Sequence, residues 1–125
     1  MAIYDIIHIE DDPIERRLFE KTAKREGMSF FGVGFLNELE KCLANENRAK
    51  VYVIDGNFPE TEGGRILPLA PKALEMIRNS HLESNIILYS SNDLSKIAEE
   101  KNAEYINKSI VTGKLMEKIK QMIGK

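Results

Sequence analysis

The sequence predicts an α/β domain, a doubly wound sheet of five parallel strands with helices on both faces. Two observations predict it: five short apolar runs alternate with amphipathic stretches along 125 residues, and the short connections suit right-handed strand-helix-strand crossovers. A third is that the polar residues of interest fall at the carboxyl ends of the apolar runs, where ligands bind in such sheets. No repeat, low-complexity tract or linker divides the chain, so residues 1–125 are expected to form a single domain.

Ile3 to Ile9 is nearly continuous in apolar character, as in a strand buried on both faces. Asp12-Pro13-Ile14-Glu15 then opens a helix, with Asp12 as N-cap, Pro13 in the first turn and Glu15 at the capping-box position. Its expected buried stripe is Ile14, Leu18, Phe19 and Ala23, and Gly27 ends it. Met28 to Val33 is the second strand, and a helix over about Leu36 to Ala44 follows. Val51 to Ile54 forms the third strand, ending at Asp55. Residues 56–71, with three prolines and three glycines, read as a long loop before a helix around Lys72 to Asn79. Ile86 to Tyr89 is strand four, Leu94 to Lys101 a short helix, and Glu104 to Asn107 strand five. The last helix, Gly113 to Ile123, is expected to bury Leu115, Met116, Ile119, Met122 and Ile123.

Composition narrows the function classes. With 42% hydrophobic and 30% charged residues the chain can bury an ordinary core and is too apolar to be disordered. A net charge of −2 argues against a general nucleic-acid coat. Residues 101–125 nevertheless carry six lysines against two glutamates, leaving 12 basic and 18 acidic residues in the first hundred, so one end is a cationic candidate for a partner. The single cysteine, Cys42, excludes an internal disulfide and a cysteine-based zinc cluster, and fits a reducing compartment, hence a cytoplasmic expectation. No apolar run reaches the ~20 residues of a membrane span, and Met1 to Asp5 lacks the basic flank of a signal peptide. His8 reads as a satisfied core histidine, or one that supports the site from behind, rather than a ligand, and His81 as exposed.

The strand ends carry the chemistry. Strand one ends in Glu10-Asp11-Asp12, strand three in Asp55, strand four in Ser90-Ser91 and strand five in Lys108. In the flavodoxin-like strand order 2-1-3-4-5, Glu10, Asp11 and Asp55 converge. Three close carboxylates need a cation, and an all-oxygen site favours Mg²⁺ or Mn²⁺. With a lysine and a hydroxyl at the same rim, the set makes a cradle for a phosphoryl group.

At these residues the chain resembles the receiver domain of two-component response regulators, the chemotaxis-regulator fold. The resemblance runs from Ile3 to Ile123 and rests on Ile7-His8-Ile9-Glu10-Asp11-Asp12-Pro13, on Asp55 with Pro59 and Gly63 four and eight residues later, on Ser90, and on Tyr105 three residues before Lys108. It implies a regulatory phosphoacceptor rather than a classical enzyme. Asp55 would take a phosphoryl group from a histidine kinase or phosphotransfer protein, with Mg²⁺ held by Glu10, Asp11, Asp55 and the backbone carbonyl of Asn57. Ser90 and Lys108 would contact the phosphoryl oxygens. Ser90 and the ring of Tyr105 would switch a face made of helix four, strand five and helix five, with Lys114, Lys118 and Lys120. An output protein of acidic character, or a second copy of the chain, would bind that face, and neither nucleic acid nor a membrane is implied as a direct partner.

The chain departs from the pattern at Ser109, where the family has proline; a cis bond to a non-proline residue costs about 2.5–4 kcal/mol, which leaves the bond open between cis and trans and the lysine less firmly fixed. The segment between Asp55 and Ser90 is longer than usual and the fourth helix is short. These departures keep open a pseudo-receiver, an interaction module of the same fold that is never phosphorylated. A third class, an aspartyl phosphatase or phosphotransferase, usually needs a second acid two residues after the nucleophile, and Asn57 stands there. Gly32-Val33-Gly34 lacks the third glycine of a dinucleotide fingerprint, and the chain has neither a nucleophile elbow nor a Walker loop.

Overall fold

A computed structural model describes residues 2–108 and 113–124. Five strands, β1 (Ile3–Ile9), β2 (Phe30–Val33), β3 (Arg48–Ile54), β4 (Asn85–Ser90) and β5 (Glu104–Asn107), alternate with five helices, α1 (Pro13–Arg25), α2 (Leu36–Ala44), α3 (Ala70–Ser80), α4 (Ser95–Glu100) and α5 (Gly113–Ile123). The strands form one sheet in the order β2-β1-β3-β4-β5, parallel throughout. The order reverses direction between β1 and β3, and this opens a crevice at their carboxyl ends.

Strand alternation divides the apolar residues between two layers. Ile7, Ile9, Tyr52, Ile54, Ile86 and Leu88 pack with α2, α3 and α4, a layer that also takes Cys42. Ile6, Val51, Val53 and Ile87 pack on the other face with Ala23 of α1 and Leu115, Met116 and Ile119 of α5. Both faces are covered, which is why these strands read as continuous apolar runs.

Several boundaries move. β2 starts at Phe30 rather than Met28, because Met28 N–H is taken by Ala23 O at 2.9 Å, closing α1 ahead of Gly27 at φ +75°. β3 starts at Arg48, since β1 pairs with it from Ile3 onward. α3 begins at Ala70, with Pro71 in its first turn where the missing N–H costs nothing. Part of the long 56–69 loop is ordered by a bridge between Phe58 and Leu67. Its Pro59 and Glu60 carbonyls accept from Leu36 and Asn37 N–H, capping α2 with backbone where Phe35 offers no side-chain cap.

The expected stripe of α1 is half wrong. Ala23 is buried and Phe19 packs on the core, but Ile14 and Leu18 are 68% and 60% exposed. His81 is half-buried rather than exposed, its Nδ1 2.9 Å from the Tyr52 hydroxyl. The Lys108–Ser109 bond lies outside the described residues.

Candidate phosphoryl and metal site

β1 and β3 pair in register at Ile9 and Ile54, so the next residues, Glu10 and Asp55, emerge side by side. Asp55 N–H donates to Ile9 O at 3.0 Å and Glu10 N–H to Val33 O at 3.0 Å. With Asp11 they form a cluster in which one carboxylate oxygen from each lies within 4.8 Å of the others. Oxygen donors of this number and spacing fit a hard divalent cation that keeps some of its water. Glu10 is 2% exposed, and Arg16 holds its backbone carbonyl by a guanidinium N–H.

Lys108 reaches the same cluster from the end of β5, its backbone N–H on Ser90 O at 3.0 Å. Its Nζ lies 2.8 Å from Glu10 Oε1 and 3.0 Å from Asp55 Oδ1, and 5.6 Å from the Tyr89 ring centre. A third carboxylate, Glu15 Oε2, stands 3.1 Å away. The lysine thus supplies the positive charge that the acids demand. Burial pushes the Glu10 carboxyl up to about 9, with its hydrogen bond to Glu15 adding to the rise and Lys108 opposing it. Burial also raises Asp55, against the pull of Lys108. Burial works against the charge of Lys108, but its hydrogen bonds to Glu10 and Asp55 prevail and hold it above the ordinary lysine range. A cation entering the cluster would favour the ionised acids and release a proton.

Ser90 is 2% exposed and lies against Gly56, the residue after Asp55. A Cβ at position 56 would come within 2.5 Å of Ser90 Oγ, so glycine there is what lets the hydroxyl approach. Ser90 Oγ accepts from Asn92 N–H at 3.1 Å. Tyr105 is half-buried, its hydroxyl 2.7 Å from Asn92 O and 3.2 Å from Ser90 O, which ties β5 to the β4–α4 loop. Asn57 is half-buried beside Asp55.

Asp12 caps α1 as expected, accepting from Ile14 N–H at 2.9 Å. Glu15 does not close the capping box: the Asp12 N–H goes to Glu10 Oε2 at 3.2 Å, and Glu15 turns to Lys108. His8 is buried on the α1–α5 face as a core histidine, but its Nδ1 has no hydrogen-bond partner among the described residues. It packs between Phe19 and Phe30, ring centres 4.5 and 5.8 Å away. Burial, and then Lys108 and Arg16, lower it to about 3. Of the cationic stretch, Lys114 and Lys118 border a groove with Tyr105. Lys120 pairs with Glu26 at the end of α1 and so faces away from the surface expected for it. Lys118 is itself paired with Glu104 at 3.4 Å.

No family model and no curated protein sequence matches the chain. Solved structures do match it. The response regulator TrrA of Thermotoga maritima, in complex with Mg²⁺ and beryllofluoride, superposes with a TM-score of 0.76 at 22% identity, covering 98% of this chain and 99% of that one. A CheY-like receiver domain protein of Methanospirillum hungatei gives 0.80 at 20% identity over 99% and 94%. The beryllofluoride-activated receiver domain of Klebsiella pneumoniae RstA gives 0.73 at 19% over 96% and 98%. The fold is that of response regulator receiver domains, strand order included.

Proposed function

We propose that the protein is a phosphoacceptor switch of two-component type, phosphorylated on Asp55 by a phosphohistidine-bearing kinase or phosphotransfer protein. The observation that carries this reading is the meeting of three carboxylates, one lysine and one buried hydroxyl at a single sheet rim. An oxygen of Asp55 attacks phosphorus, the new O–P bond forming as the N–P bond to the donor imidazole breaks and the imidazole leaves with a proton. Glu10, Asp11, Asp55 and the Asn57 carbonyl would hold Mg²⁺, which offsets charge on the transferred oxygens. Lys108 and the Ser90 hydroxyl engage the other phosphoryl oxygens. The resulting aspartyl phosphate is hydrolysed by water, and the role of the chain is regulatory.

Tyr105 links this site to the output face. A Ser90 hydroxyl drawn toward the phosphoryl group leaves Asn92 N–H, and the β4–α4 loop on which Tyr105 rests must adjust. The face of α4, β5 and α5 then changes shape for a partner protein or a second copy of the chain. Amide shifts with Mg²⁺ and beryllofluoride test the reading against a pseudo-receiver. A switch moves residues 94–107 and 114–120 as well as those around Asp55. Changes confined to the loop after Asp55, or none, would favour an interaction module that is never phosphorylated.

A further inference from the structure

We infer that Glu15 is a positioning residue for Lys108, holding the lysine in the resting protein and competing with the phosphoryl group for it. This rests on the phosphoacceptor reading and adds to it a residue that limits how readily the acyl phosphate is stabilised.

An ammonium group has three donors. At Lys108 three carboxylate oxygens surround them, from Glu10 at 2.8 Å, Asp55 at 3.0 Å and Glu15 at 3.1 Å, so a phosphoryl oxygen can gain the lysine only if one of them yields. Glu10 and Asp55 belong to the acid cluster that a divalent ion would occupy, and an ion there would compete with the lysine for their charge. Glu15 is not one of the three clustered acids; it touches Glu10 through a hydrogen bond and keeps its hold on Lys108. Its backbone is fixed in the first turn of α1 by the Asp12 cap and by Pro13. Its usual capping task is absent, because Glu10 Oε2 has taken the Asp12 N–H. The carboxylate is therefore aimed at Lys108 by the helix that carries it. With its side chain 51% exposed, it can swing into water when a stronger anion arrives. The competition is consequently a modest and adjustable one, of the size of a partly exposed ion pair.

Titration of beryllofluoride into the protein with Mg²⁺, followed by fluorine NMR, tests this with Glu15→Gln and Glu15→Ala beside the parent. Both variants are expected to bind beryllofluoride about twofold to fivefold more tightly than the parent, with the gap narrowing as salt is added. A merely structural role for Glu15 would leave affinity unchanged or weaken it, and either result would overturn the inference while leaving the phosphoacceptor reading intact. No bound fluoride signal in any of the three proteins would overturn both.

Discussion

A buried histidine whose Nδ1 has no partner among the described residues ties stability to pH. His8 is lowered to about 3 in the fold from about 6.5 in an unfolded chain, so between those values the unfolded state binds a proton that the folded state refuses. Stability must fall as pH drops through that window. His8→Phe should remove the effect, since the site already lies between Phe19 and Phe30. Denaturant unfolding at several pH values is expected to show the variant gaining on the parent by about 1.4 kcal/mol for each pH unit below 6.5. A constant difference would mean that the ring is protonated in the native protein. Legibility at this scale was uneven. Glu10, Asp55 and Lys108 could be read because each closes an apolar run, a position where a charge needs a reason. Glu15 could not, because its partner lies 93 residues away while a local rule already assigned it to a cap. Gly56 is explained only by the nearness of Ser90 in space.

At the scale of the element, α1 carries the largest misreading and a consequence. Ile14 and Leu18 follow helical spacing, yet the helix packs through Ala23 and Phe19 and leaves them to solvent. Periodicity marks an apolar face without saying what covers it. Leu18 borders, with Phe19, Leu115 and Met116, a groove between α1 and α5 that opens beside Glu10. On the phosphoacceptor reading, exposed apolar side chains beside Glu10 suit docking of the protein that would deliver the phosphoryl group. Ile14→Asp with Leu18→Asp should therefore slow transfer from a phosphorylated histidine protein at least tenfold and leave labelling by acetyl phosphate unchanged. Equal loss with both donors would place these residues in the chemistry or the fold instead. The strands were easier to read: burial on both faces gave continuous apolar runs, and the errors sit at their starts, where pairing partners rather than composition set the first residue.

For the whole molecule, strand order decides where the candidate site forms. The sequence's alternation of strands and helices gives the architecture, but only the reversal between β1 and β3 places Glu10 against Asp55. The same order brings Lys108 across from β5 by way of β4. In the described core the buried polar or charged side chains are His8, Glu10 and Ser90, all at or beneath this rim. A fold selected only for stability would fill such positions with apolar residues. The central claim, that Asp55 accepts a phosphoryl group, is tested most directly by intact mass after incubation with acetyl phosphate and Mg²⁺. One added phosphoryl group is expected, released by hydroxylamine as an acyl phosphate is, and absent from Asp55→Asn. No addition to the parent, or a stable addition that persists in Asp55→Asn, would contradict it.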